Sequence, residues 1–259
     1  MSLDLKPVLY RQPATLDTVK HRTLRFRGNG GDHRIAADMN AMFCAAGEFP
    51  EASREYAIVF VPSQGPTPDA PATAVPVVLL GLRSGESLFA RADGGWDARY
   101  VPAFLRRYPF AYVRLDNGQV GVLFDEAFEG FNETEGERLF DDAGQPTPYF
   151  QGIMGFLGRY EEEVDRTRAF CDKLIELDLL KGGEISGAQV GDQPLKLDGF
   201  FMVDEQKLLA LPDAAVLELH RSGMLGLINL HLASMGNLPR LEERLVGKLA
   251  RAAEGAMAA

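Results

Sequence analysis

The hydrophobic pattern along the sequence changes period near residue 142. Upstream, apolar positions come in short runs and alternations; downstream they recur in steps of three and four. Arg22 to Arg27 alternates as a strand does and runs into the glycine-rich turn Gly28-Asn29-Gly30-Gly31. Tyr56 to Val61 and Val75 to Leu82 are apolar, β-branched runs of the kind that form buried strands. Between them, Pro62 to Ala74 carries Pro62, Pro66, Pro68 and Pro71 and no aromatic residue, which predicts an exposed loop. Ala111 to Leu115 and Gln119 to Phe124 flank Asp116-Asn117-Gly118, where an Asn-Gly pair accepts the positive φ of a hairpin turn.

The second half reads as helices. Thr147 can cap free N–H groups and Pro148 supplies a helix-ready φ. From there Phe150, Ile153, Leu157, Tyr160, Val164, Thr167, Cys171 and Leu174 form one stripe, roughly 45 Å of helix at 1.5 Å per residue. The stripe suits a spine packed on a sheet or on neighbouring helices better than a coiled-coil seam. Its end is predicted at Lys181-Gly182-Gly183, followed by a loop containing Gly183, Gly187 and Gly191. Leu195 to Val203 reads as one returning strand, and helices follow at about Asp204–Leu211, Pro212–Ser222, Met224–Met235 and Leu238–Ala253. The expected class is α+β: a strand-rich half over 7–142 with a mixed or antiparallel sheet, then a mainly helical half over 146–253. The returning strand favours a single interlocked domain over two separate ones, spanning 7–240, with 241–259 as helix end and tail.

Composition narrows the function classes. With 46% apolar and 25% charged residues among 259, the protein can bury a full core without disulfides or metal. A net charge of −10 argues against nucleic acid and against an anionic membrane surface, both of which call for a basic face. No apolar run approaches the ~20 residues of a membrane span, so no membrane insertion is expected. Met1-Ser2-Leu3-Asp4 lacks a basic and an apolar signal region, which predicts a cytoplasmic protein. Cys44 and Cys171 lie far apart in apolar stretches and are expected as buried free thiols.

Familiar catalytic signatures are missing: G-x-S-x-G, the P-loop and H-E-x-x-H do not occur. Gly28 to Gly31 could cradle phosphate, but no Lys-Ser or Lys-Thr follows, and a tight turn is the better reading. Of the four histidines, His220 and His231 are eleven residues apart, ~16 Å on a straight helix. They could share a metal only if a break at Gly223 folded them together. Asp125-Glu126 and Asp204-Glu205 could supply an acid and a base, although Asp204 sits better as a helix N-cap. No cofactor and no metal site is implied.

One stretch has binding-site composition. Arg99, Arg106, Arg107 and Arg114 are interleaved with Tyr100, Phe104, Tyr108, Phe110 and Tyr112, without an acid, just after the single tryptophan, Trp96. Planar cations and amphipathic rings give large contact area at low entropy cost. The candidate partner-binding residues are Trp96, Arg99, Tyr100, Arg106, Arg107 and Tyr108, with Phe104 and Phe110 pointing inward. Val120 to Asp142, however, holds eight carboxylates against the single Arg138. The two segments could neutralise each other inside the molecule, or the first could receive an external anion or peptide.

Gly81-Leu82-Arg83-Ser84-Gly85-Glu86-Ser87-Leu88-Phe89 and Gly95-Trp96-Asp97-Ala98-Arg99-Tyr100-Val101-Pro102-Ala103-Phe104-Leu105-Arg106-Arg107-Tyr108-Pro109-Phe110 resemble the SapC family of bacterial proteins. Glu48-Phe49-Pro50, Thr167 to Cys171, Leu197-Asp198-Gly199-Phe200 with Val203-Asp204-Glu205, and Leu217 to Gly223 extend the likeness over roughly residues 7 to 240. This family is distinct from the like-named peptide-transporter permease, which has membrane spans. The resemblance implies a link to surface-layer protein export; similar proteins are often encoded beside outer-membrane receptors, halogenase-like and cupin-like proteins. It carries over no catalytic residue. The expectation is an accessory protein that binds a protein or peptide substrate in an envelope- or surface-layer-associated pathway. The alternative is an enzyme, metal-assisted or not, that modifies such a substrate.

Overall fold

A computed structural model describes residues 9–28, 32–63, 73–115, 118–190 and 193–257. Its strands are β1 (Pro13–Thr15), β2 (Arg25–Phe26), β3 (Ala41–Phe43), β4 (Ile58–Ser63), β5 (Thr73–Leu79), β6 (Phe110–Arg114), β7 (Val120–Asp125), β8 (Phe131–Asn132), β9 (Glu137–Arg138), β10 (Leu180–Val190) and β11 (Gln193–Val203). Its helices are α1 (Phe49–Ala52), α2 (Ala103–Arg106), α3 (Pro148–Glu176), α4 (Glu205–Leu209), α5 (Asp213–Arg221), α6 (Met224–Ser234) and α7 (Leu238–Met257). The fold is α+β, with most strands before α3 and the longer helices from α3 onward.

Three antiparallel sheets form, in the orders β10-β11-β4-β5-β3, β1-β7-β6 and β8-β2-β9. In the largest, Ile58, Val59, Phe60, Val77, Val78 and Leu79 are each 0% exposed, so both faces of β4 and β5 are covered, as their unbroken apolar runs predict. β6 and β7 pair with Arg114 opposite Val120, and Gly118 takes a φ of +79° in the turn. The hairpin is where Asn-Gly places it, although Asp116 and Asn117 themselves lie outside the described residues.

Helix α3 starts as its sequence predicts: the Thr147 side chain accepts from the Phe150 N–H at 3.3 Å and Pro148 opens the first turn. Its stripe serves two cores. Phe150 and Leu157 pack with Phe26, Phe110, Val122, Phe124, Leu139 and Phe140 among the small sheets. Tyr160, Phe170, Cys171 and Leu174 join the core of the large sheet.

Four expectations need correction. The helix stops at Glu176, five residues before Lys181. The Asp178 N–H bonds the Ile175 carbonyl and the Leu179 N–H bonds the Leu174 carbonyl, both at 2.9 Å, with Asp178 at φ +51°. That is a Schellman closure with aspartate where glycine is usual, and buried Leu174 and Leu179 complete it. The predicted glycine loop is strand β10, paired along its length with β11 from Leu180 opposite Val203 to Val190 opposite Gln193. The strand forecast at Arg22–Arg27 shortens to Arg25–Phe26, and Pro62 and Ala74 extend β4 and β5. Residues 64–72 and 29–31 lie outside the described residues, so the rest of the proline loop and most of the glycine turn do too.

β11 binds the two halves by pairing Phe201 with Phe60 of β4. Helix α6 fills the place where these strands part. The Ile58 N–H donates to Ser234 Oγ at 3.0 Å, and His231 spans Ile58 and Val203 through its two ring nitrogens. Asn237 then donates to the Ser53 and Tyr56 carbonyls at 2.8 and 3.0 Å. These side chains satisfy backbone groups that the sheet ladder leaves over.

Candidate functional site

The arginine-aromatic block is anchored from beneath. Phe104 and Phe110 are buried, as expected. Buried Glu48 accepts from the Ala45 N–H at 2.9 Å and from the Ala103 N–H and Tyr100 Oη at 2.6 Å each. It thereby caps the turn that carries α2. Further along, Tyr108 Oη donates to Asp125 at 2.8 Å. Asp125 is 0% exposed and also accepts from the backbone N–H groups of Arg11, Gln12 and Ala127. Burial pushes its carboxyl pKa up, but these four donors outweigh that and leave it below the usual carboxylate range. Burial, with the neighbouring carboxylate, pushes the Tyr108 hydroxyl well up.

The six candidate residues fall into three places. Arg106, Arg107 and Tyr108 line one cleft of about 540 Å³, with Phe26, Gly28 and Phe110 on the sheet side. The first turns of α3 close its other wall through Pro148, Tyr149, Gly152, Ile153 and Phe156. Arg99 and Tyr100 border a separate depression with Glu51, Arg54 and Glu55, where the Glu55 carboxylate accepts the Arg99 N–H at 2.8 Å. Trp96 belongs to neither. Its indole N–H donates to Tyr56 Oη at 2.7 Å, its ring stacks on Phe89 at 6.0 Å, and the Tyr56 hydroxyl bonds the Tyr100 carbonyl. Arg244 of α7 holds this segment by bonding Asp97 and packing 4.4 Å over Phe89.

The arginines do not neutralise the acidic segment. Glu126 pairs with Lys20, Glu135 with Arg27 and Asp142 with Arg138. Among the described residues, Arg99, Arg106, Arg107 and Arg114 form no ion pair. Arg106 instead donates to the Val101 carbonyl at 2.9 Å and lies over the Tyr100 and Phe156 rings at 5.6 and 5.5 Å. Arg107 lies 4.6 Å from the Phe104 ring and 4.8 Å from that of Tyr160, and its buried Nε has no hydrogen-bond partner. Cation–π contacts of this kind contribute about 0.5–2 kcal/mol each, which holds the cations in place without cancelling their charge.

The wall given by α3 escaped sequence reading. Tyr149, Gly152 and Phe156 lie beside the core stripe at steps of three and four. An apolar face wider than one core needs was the available signal.

The histidine pair offers no metal site. His220 is exposed on α5, while both ring nitrogens of buried His231 are occupied by backbone groups. Among the described residues no group of three or more histidine, cysteine, aspartate or glutamate side chains is placed to hold a metal ion. Asp204 caps α4 by accepting the Gln206 N–H at 3.0 Å, a structural duty. Cys44 and Cys171 are free and buried.

Fold and site together define an α+β protein with an aromatic cleft whose two guanidinium groups form no ion pair among the described residues, of which no helix is long and apolar enough to cross a membrane. It belongs to the SapC family, whose match runs over residues 16–241 and includes the whole arginine-aromatic block and both walls of the cleft. No curated protein and no solved structure matches it.

Proposed function

We propose that this is an accessory protein that binds a protein or peptide partner in the cleft between residues 104–110 and the start of α3. In line with the family resemblance, the partner belongs to a bacterial envelope- or surface-layer-associated pathway. The observation that carries this reading is the cleft itself. Arg106 and Arg107 line it together with exposed Tyr149 and half-buried Phe156, and among the described residues no carboxylate pairs with either; Arg106 reaches Glu48 only through the Tyr100 hydroxyl, at 3.3 Å. Arginine and aromatic residues in a concave, partly dry setting are the usual composition of interface hot spots.

Photo-crosslinking in the native host tests the proposal. A benzophenone amino acid replaces Tyr149, which is 39% exposed on the cleft wall, and a control replaces Val19, 77% exposed and outside the cleft lining. The expected result is a discrete protein adduct at position 149 that is lost on Arg107→Ala and absent at position 19. An adduct pattern that is the same at both positions, or indifferent to Arg107, overturns the reading.

A further inference from the structure

We propose that the partner presents to this cleft a carboxylate immediately beside an aromatic ring. This deepens the reading above and rests on it. Four observations converge. Among the described residues the cleft lining contains two guanidinium groups and no acid, although the protein as a whole has a net charge of −10. Neither cation has an ion pair among the described residues, and Arg107 keeps a buried Nε without an acceptor. A guanidinium without an anionic partner in the free protein gains from a ligand acceptor at its accessible N–H groups.

The rings packed on Arg107 restrict it and leave its in-plane N–H donors for a planar acceptor, the geometry that a carboxylate matches. Finally, the rest of the lining is apolar and mostly aromatic: Phe26, Phe110, Tyr149, Ile153 and Phe156. Aromatic pairs gain from edge and offset contacts beyond the area they bury, so a ring beside the carboxylate fits this wall better than a small or charged side group.

The carboxylate could come from an aspartate or glutamate residue or from a free polypeptide C-terminus. Synthetic peptides separate these sources: acetyl-Gly-Asp-Phe-Gly-amide, its Asn-Phe and Asp-Ala counterparts, and acetyl-Gly-Gly-Phe with a free carboxylate. Binding is measured by calorimetry to the full-length protein and to two variants, Arg107→Ala and Gly152→Leu. The second variant protects the test from misfolding. A Cβ at Gly152 meets nothing within 4 Å, the residue has no positive φ, and leucine is the better helix former, so the added isobutyl group enters the cleft without straining α3.

The expected result is saturable binding of the Asp-Phe peptide, weakened at least tenfold in the Asn-Phe and Asp-Ala peptides and in both protein variants. Tighter binding of the free-acid peptide supports the same chemistry with the C-terminus as its source. Equal binding of all four peptides that is still lost in Gly152→Leu overturns the carboxylate-ring class but leaves the cleft as a partner site. Failure of every peptide to bind overturns the class as well, and the cross-linking result then decides the partner-site reading independently.

Discussion

His231 joins α6 to two strands, and its titration can be followed. Its Nδ1–H donates to the Ile58 carbonyl at 2.8 Å while Nε2 accepts from the Val203 N–H at 3.1 Å, so the neutral ring is the form that fits. Protonation would set a second N–H against that of Val203. Burial pushes the pKa down from 6.5 to about 4, against a smaller upward pull from the Ile58 carbonyl. An unfolded histidine titrates near 6.5. Between these values the unfolded state binds a proton that the folded state refuses, so this contribution is complete above pH 6.5 and is lost as pH falls to 4. At ~1.4 kcal/mol per pH unit, the share assigned to His231 is about 3 kcal/mol.

In His231→Asn, the amide nitrogen stands near the position of Nδ1 and the Val203 N–H loses its acceptor. The cost at pH 7 is about 1–3 kcal/mol, and the pH-dependent share disappears. Urea unfolding of both proteins at pH 7 and pH 4 measures this. Carboxylates that titrate over the same range do so in both and cancel in the comparison. Wild type should lose about 3 kcal/mol more than the variant on acidification. Equal losses would refute the idea that a neutral, doubly bonded His231 holds α6 to the sheet.

Other outcomes follow from the same packing. Leu157→Asp places an unpaired charge at a site that is 1% exposed, and should cost about 4 kcal/mol or more; a melting temperature near that of wild type would contradict it. Trp96→Ala removes a ring stacked on Phe89 and bonded to Tyr56. It should lower stability by about 2–3 kcal/mol in chemical denaturation and leave cleft binding intact, so a binding loss at unchanged stability would return Trp96 to the site. Burial pushes the Cys44 thiol well up and the Cys171 thiol to about 12. Both should therefore label slowly with a thiol reagent in the native protein and quickly in urea, and fast native labelling of either would contradict the packing.

Local chemistry was legible wherever a signal and its consequence lie close in sequence. Thr147-Pro148 announces the start of α3, and Asn117-Gly118 announces the β6–β7 hairpin. Asp204 reads as a cap because its acceptor role is spent two residues later. What was missed depends on distant partners. Leu180 to Val190 carries three glycines and few β-branched residues, and becomes a strand by pairing with β11. The end of α3 was hidden because Asp178, not glycine, adopts the left-handed conformation. At the site, Arg106, Arg107 and Tyr108 were visible as composition. Their separation from Trp96 depends on Tyr56, 40 residues earlier, and the facing wall depends on how α3 crosses the block.

Hydrogen exchange tests the partner cleft most directly, by mapping the protein with and without saturating acetyl-Gly-Asp-Phe-Gly-amide. Added protection is predicted in residues 104–110 and 148–157, the two walls of the cleft, and none in residues 51–55 and 99–100 around the Arg99 depression. Protection centred on that depression, or none at either wall, would contradict docking of a carboxylate-ring partner in the cleft.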